Sequence, residues 1–214
     1  MAFEHYIYAD GKQLRCGYTT GTCAALAASG AVQRLLTGVW PETVSLRTPK
    51  GLTVEVPLEH CRMQGDTAQC SVRKDGGDDV DKTTGALIQA SVSLSDTPGV
   101  RIRGGQGVGR VTKPGLDQPV GEAAINRVPR QMIREAVEAA CRTADYDGGA
   151  EVIISVPEGE TIAQKTFNPQ MGIVGGISIL GTSGIVEPMS MQAMIDTMAL
   201  ELRQAAAQGH KRLI

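Results

Sequence analysis

The stretch Thr166–Ser190, TFNPQMGIVGGISILGTSGIVEPMS, leaves a folding chain few options. Gly172, Gly175, Gly176, Gly181, Gly184 and the Asn168-Pro169 turn make six break points in it. Between them lies Ile177-Ser178-Ile179-Leu180, a short β-branched run with strand character. Gly181-Thr182-Ser183-Gly184 then turns the chain, and Ser190 stands as N-cap before a long helical pattern. A strand, a small-residue turn and a helix start leave backbone N–H groups free to cradle an anion or a cofactor. The same unit also serves purely structural ends, and a lone glycine-rich loop is a weak motif.

The remaining chain supplies the context. With 214 residues it has room for one large domain, or one domain and part of another. It contains only two Phe, one Trp and four Tyr, so the core is expected to be built from Val, Ile, Leu, Ala and Met. A net charge of −2 argues against bulk nucleic-acid binding, which wants a basic surface. The charge is uneven, however. Between Arg101 and Arg134 basic residues far outnumber Asp117 and Glu122. That segment is either a solvated basic face or a surface for a small polyanion, for which arginine forks suit carboxylates and phosphates. The five cysteines form no CxxC, and none is spaced with His5, His60 or His210 as metal ligands are. Zinc and a disulfide framework are not expected, and a reducing cytoplasm fits. No signal peptide or membrane span is expected.

In chain order, Thr19-Thr20-Gly21-Thr22 crowd the start of an amphipathic helix that runs to Gly38. One hydroxyl suffices as a cap. The surplus points either to a ligand anion at the helix start or to a capped helix against a tight core. Segments 44–48 and 53–56 alternate around Pro49-Lys50-Gly51 and read as a hairpin. A strand at 68–72 delivers the chain into Lys74-Asp75-Gly76-Gly77-Asp78-Asp79-Val80-Asp81, a loop of four aspartates. Such a cluster is tolerated when solvated, when it binds a cation, or when one carboxyl serves as acid or base. Its spacing is not that of a calcium loop. Strands follow at 90–94 and 100–103. The glycines at 104–109 superficially match a dinucleotide fingerprint, but Val111, Thr112 and Pro114 stand where a helix must begin, so strand–turn–strand is the reading. Lys113 sits on that rigid turn, placed to meet a carboxylate. A helix from Pro129 to about Ala144 and a buried strand at 152–156 come next. After Ser190, Met191, Met194, Ile195, Met198, Ala199, Leu202, Ala205 and Ala206 form one apolar stripe, read as core filling, and Lys211–Ile214 starts another strand.

Four colinear segments together carry a resemblance. They are RCGYTTGTCAALAA (15–28), KDGGDDVDKTTG (74–85), GVGRVTKPGLDQPVGEAAINRVPRQMI (107–133) and the opening stretch. The chain resembles the cobalamin-biosynthesis methyltransferases that act at C1 of cobalt-precorrin-5B to give cobalt-precorrin-6A. It departs from them at Val80, Lys82 and Arg127, where proline, an apolar residue and proline are more usual. The resemblance implies an α+β fold. Residues 1–150 would form an S5-domain-2-like α+β domain, and residues 151–214 the start of an α/β domain that is longer in the family. It implies S-adenosylmethionine as co-substrate, with cobalt only as part of the tetrapyrrole. The electron-rich macrocycle is then the nucleophile, so no Ser, Cys or His nucleophile is needed. Asp75, Asp78 and Asp79 are the candidates for taking a proton or facing the sulfonium. Arg101, Arg103, Lys113, Arg127, Arg130 and the Thr19–Thr22 helix start would hold the acetate and propionate arms. Gly181, Thr182, Ser183 and Gly184 are the candidate adenosylmethionine loop. No membrane or nucleic-acid partner is expected, and a homo-oligomer is allowed. The rival readings are a non-catalytic tetrapyrrole-binding module and a phosphate-handling small-molecule kinase.

Overall fold

The computed structural model describes residues 3–9 and 11–209. A hairpin of β1 (Tyr6–Ala9) and β2 (Lys12–Arg15) opens the chain, and the short β3 (Gly17–Tyr18) leads into helix α1 (Thr20–Thr37). A second hairpin, β4 (Thr43–Arg47) and β5 (Thr53–Pro57), follows where the alternating segments place it. Then come β6 (Glu59–Gln64), β7 (Thr67–Arg73), β8 (Leu87–Ser95) and β9 (Gly99–Gly104). The two-residue strands β10 (Gly107–Val108) and β11 (Arg110–Val111) precede helix α2 (Arg127–Thr143). The rest is β12 (Gly149–Ser155), α3 (Gly159–Ala163), β13 (Ile173–Val174), β14 (Gly176–Ile177), β15 (Ile185–Val186) and α4 (Met191–Ala207).

The frame is a five-stranded sheet in the order β6-β7-β8-β12-β9. It is antiparallel except where β12 runs parallel to β9, the strand to which it is connected through α2. The alternation in β7, β8 and β12 turns Ala68, Cys70, Val72, Ile88, Ala90, Val92, Ala150, Val152 and Ile154 to one side, where they form a single core with α1 and α2. Residues Thr20 through Val32 of α1 are all buried, a wider burial than an amphipathic helix needs. Its alanines and Gly30 make this close approach feasible, and the Cys70 thiol donates to the Ala27 carbonyl across 3.1 Å. Thr19 caps the helix by accepting from the Thr22 N–H at 3.2 Å, and Gly38, at φ 78°, ends it in the left-handed conformation.

Four features differ from the reading of the sequence. The edge strand β6 went unread because EHCRMQ is polar on both faces. The single turn of α3 occupies what reads as a connector. Ile177–Leu180 is not one strand: only Gly176 and Ile177 join β14, paired in parallel with β10, while Ile179 makes an isolated bridge to Ile125. The Thr20 hydroxyl lies against the Ser178 and Leu180 carbonyls and accepts from the Leu180 N–H at 2.9 Å, so these backbone groups serve α1 instead of a ladder. The stripe on α4 does not fill the core either: Met191, Met194, Ile195, Met198 and Leu202 are 51–68% exposed. α4 meets the body through Gln204, which is buried, donates to the Met171 carbonyl at 2.5 Å and lies against Gly115. The strand expected at Lys211–Ile214 lies outside the described residues. Position 150 falls within β12, so residues 149–155 share their sheet with residues 59–104. Among the described residues no helix is long and apolar enough to cross a membrane.

Candidate functional site

β7, β12 and β9 all end, and β8 begins, at one end of the sheet. The acidic loop, the start of α1 and the 178–187 loop gather there. The acidic loop crosses directly over Gly17: a Cβ at that position would clash with the backbone of Asp75 and Gly76, and the Tyr18 N–H donates to the Asp75 carbonyl at 2.9 Å. This is why a glycine stands in β3.

The four aspartates have different jobs. Asp75 receives both arms of the Arg15 guanidinium, at 2.6 and 2.9 Å, and the Gly77 N–H at 2.8 Å. The hydrogen bond from Arg15 leads the effects that hold its carboxyl below the usual range, and the same contact raises Arg15. Asp78 accepts the Arg15 backbone N–H at 2.7 Å. Asp81 accepts from Lys74 at 2.5 Å and from the Thr83 N–H and hydroxyl, each at 2.7 Å. Burial alone pushes Asp81 up, but the Lys74 charge and these donors outweigh it, and its pKa is lowered. The Lys74 side chain is only 2% exposed, so this is a buried ion pair. Asp79 alone is shifted the other way. Burial, then the Asp81 charge, raise its pKa against the opposing pull of Lys74.

The helix start is closed from above. The Gly21 N–H donates to the Leu180 carbonyl at 3.0 Å, the Thr19 N–H to the Gly184 carbonyl at 3.1 Å, and the Thr22 hydroxyl to the same Gly184 carbonyl at 2.6 Å. Thr19, Thr20 and Thr22 are at most 5% exposed. The surplus hydroxyls therefore hold the 178–184 loop onto α1, and an anion at the helix start has no open approach through them. The loop's glycines answer the same need. Gly181 has φ 129°, and a Cβ there would run into the Thr19 side chain, while one at Gly184 would meet Thr48. Lys50 completes the closure: its N–H donates to the Ser183 carbonyl at 3.0 Å and its ammonium to Glu187 at 2.5 Å. Thr182 is exposed at the tip.

The basic residues do not form one patch. Arg101 and Arg103 project from β9 on the side away from the helices, and Arg103 meets Glu151 at 2.9 Å. Arg130 is turned inward from α2, with Nε donating to the Ile125 carbonyl at 2.9 Å and Nη1 to the Ile102 carbonyl at 3.1 Å; burial lowers its pKa. Arg130 thereby ties α2 to β9. Lys113 and Arg127 are exposed, the first donating to the Gln170 carbonyl at 3.1 Å and the second, through its backbone N–H, to Asp117 at 2.5 Å. Burial also pushes the Cys23 thiol up to about 12, which leaves it no thiolate at neutral pH. Arg15, Lys74, Lys50 and Glu187 hold these loops together, and the reading of the sequence gave none of them a role. Lys74 could not have been found by pattern, since a lysine beside four aspartates reads as solvated.

A family model described as CbiD matches residues 7–188. The cobalt-precorrin-5B C(1)-methyltransferase of Geobacillus kaustophilus (strain HTA426) is 53% identical over 203 residues, which is 95% of this chain and 55% of that protein. The enzyme of the same name from Ruminiclostridium cellulolyticum is 49% identical over 208 residues, 97% of this chain and 54% of that one. The crystal structure of a cobalamin biosynthesis protein (cbiD) from Archaeoglobus fulgidus superposes with a TM-score of 0.66 at 36% identity, covering 91% of this chain and 62% of that one. The chain spans about half the length of the curated relatives it matches.

Proposed function

The chain belongs to the CbiD family, and from that premise we propose that it forms part of an S-adenosylmethionine-dependent methyltransferase acting at C1 of cobalt-precorrin-5B. The observation that carries this reading is the 53% identity sustained over 95% of the chain. Neither a kinase nor a non-catalytic module finds support among the relatives.

Adenosylmethionine, when bound, supplies a methyl group on a sulfonium centre, and cobalt arrives within the substrate. The protein's task is to hold the methyl carbon in line with the ring carbon, and to accept the proton that the ring loses. Asp79 suits the second role best of the three candidates. Asp75 and Asp78 are engaged with Arg15, whereas Asp79 has the raised pKa of a carboxylate able to take up a proton. Arg101, Arg103, Lys113 and Arg127 are all exposed and stand where carboxylate arms can reach them, Arg103 beside Glu151 and Lys113 beside the Gln170 carbonyl. The inner side of the Gly181–Gly184 loop is filled by Thr19 and Thr48, so any adenosylmethionine contact from this loop falls to Thr182 and the outward backbone beside it. The first domain is S5-like, and the second starts after β12, because that strand completes the first sheet. A cytoplasmic setting and a homo-oligomer belong to the same proposal.

Calorimetric titration with adenosylmethionine, and separately with ATP and Mg²⁺, tests it. Binding of ATP without adenosylmethionine would refute the methyltransferase reading. We expect the isolated 214 residues to bind tetrapyrrole more readily than they turn it over, and methyl transfer at the rate of a full-length relative would contradict that expectation.

A further inference from the structure

The sheet has a second face, and strand register shows what is on it. One row reads Arg62, Gln69, Ser91, Ile153, Arg103 from β6 across to β9. The row nearer the acidic loop contains Ser71, Gln89 and Ser155, and the row on the far side Thr67, Ser93, Glu151 and Arg101. Ile153 is the one apolar side chain in these three rows. Helices α1 and α2 pack on the opposite face, and among the described residues no helix or strand is layered over this one, on which Gln69 and Ser71 are buried by their neighbours and Ile153 is exposed.

A solvated face is the ordinary explanation for polar alternation. Two observations go beyond it. A merely solvated strand favours Thr, Val and aromatics, yet these central strands place serines there, and serine adds nothing to strand formation. The serines and glutamines are instead linked. The Gln69 amide donates to Gln89 at 2.9 Å and to the Ser91 hydroxyl at 2.8 Å, while Arg62 donates to the Gln69 carbonyl oxygen. The short side chains also leave a cavity of about 380 Å³, with Arg62, Ser71, Gln89 and Pro157 among its walls.

Arginines stand at both ends of the middle row, four strand spacings apart, which is about 19 Å. Arg101 has no ion-pair partner among the described residues. Arg103 contacts Glu151 Oε1 at 2.9 Å, but no aligned hydrogen bond reaches that buried oxygen, so most of the guanidinium donors stay available. A broad, shallow floor whose amides are paired among themselves, with guanidinium groups at opposite ends, complements a flat ring that carries carboxylates around its rim.

We infer that this outer face, with Arg62 at one end and Arg101 and Arg103 at the other, is the platform on which a flat, carboxylate-rimmed tetrapyrrole lies. The inference rests on the methyltransferase reading for the ligand class and on the sheet register for the place. One edge of the platform adjoins the acidic loop, since Arg73, the last residue of β7, leads directly into it.

The test uses uroporphyrin, a commercially available porphyrin with carboxylate arms on every ring, titrated into the 214-residue chain and followed by its own absorbance and fluorescence. Binding is expected. It should weaken about tenfold or more in Arg101→Gln/Arg103→Gln and in Arg62→Gln, the loss that follows removal of a charge-assisted contact. Ile153→Glu, which sets a negative charge on the exposed middle of the floor, should weaken it too, whereas Arg142→Gln on α2 should bind as the unaltered chain does. Absence of binding by the unaltered chain overturns the platform, as does unchanged affinity in all three face variants with unchanged circular dichroism. Adenosylmethionine binding is measured in parallel. If it persists while the platform variants have no effect, the platform falls and the methyltransferase reading stands. If it is absent while the variants lose porphyrin, the methyltransferase reading falls and the platform stands.

Discussion

Asp75 and Asp79 lie four positions apart in one loop and are expected to answer opposite ways to the same substitution. The folded-state pKa of Asp75 lies below its ordinary 3.8, so its contribution to stability is present above that value and is lost as pH falls through the folded pKa. Asp75→Asn also strips Arg15 of two charge-assisted bonds. We expect a cost of about 2 kcal/mol at pH 7, or a Tm about 4–8 °C lower for a chain of this size, and a stability profile that falls less steeply below pH 3.8 than that of the parent. The folded-state pKa of Asp79 is raised, so its contribution is full only below 3.8 and is lost as pH rises through the folded pKa. Asp79→Asn therefore removes a penalty at pH 7, and its Tm should equal or exceed the parent's while proton-coupled turnover in the complete enzyme falls. Thermal unfolding followed by circular dichroism from pH 3 to pH 8 checks both signs; a lower neutral-pH Tm for Asp79→Asn would show that its carboxylate is a structural anchor. The sequence marks the acidic loop but not this division, because Arg15, which pairs with Asp75, and Met189, whose backbone donates to Asp79, lie far away along the chain.

Among the elements, α1 and α4 show how far periodicity carries. α1 was legible almost to the residue, because its Thr19 cap, its small apolar run and Gly38 are all local signals. What the threonines do was not legible, since their partners lie about 160 positions later. α4 was legible as a helix, and its stripe as a face, but periodicity shows only that a face wants cover and never what covers it. Here Met191, Met194, Ile195, Met198 and Leu202 remain exposed. The 214-residue chain is accordingly expected to bind the dye ANS, and Met194→Lys/Met198→Lys to reduce that fluorescence severalfold without lowering the Tm. A marked drop in Tm would mean that the stripe is packed in solution.

At the level of the whole molecule, β12 is the strand that joins the sheet. It arrives after α2 and enters between β8 and β9, pairing with both along nearly its whole length. A chain ended at Asp147 keeps β6 to β9 and both large helices of the core, but it leaves β8 and β9 without the strand between them. We expect that fragment to lack a cooperative thermal transition, and a chain ended at Thr166 to retain one. Cooperative melting of the shorter fragment would place β12 in a separate folding unit.

The sequence by itself determined the things that local chemistry controls: two amphipathic hairpin arms, the helix starts and stops, an aliphatic core in place of an aromatic one, and the glycines of the Thr166–Ser190 stretch as obligatory turns. It also carried the family, because four long motifs in one order are specific. Only the tertiary structure decided that those glycines exist to let the loop lie against Thr19 and Thr48, that Arg130 faces inward while Arg101 and Arg103 face out, and that one aspartate in four is left with a raised pKa. The reason is common to all three. Burial and charge pairing depend on which distant segment comes to rest against a residue, and a pattern along the chain has no term for that.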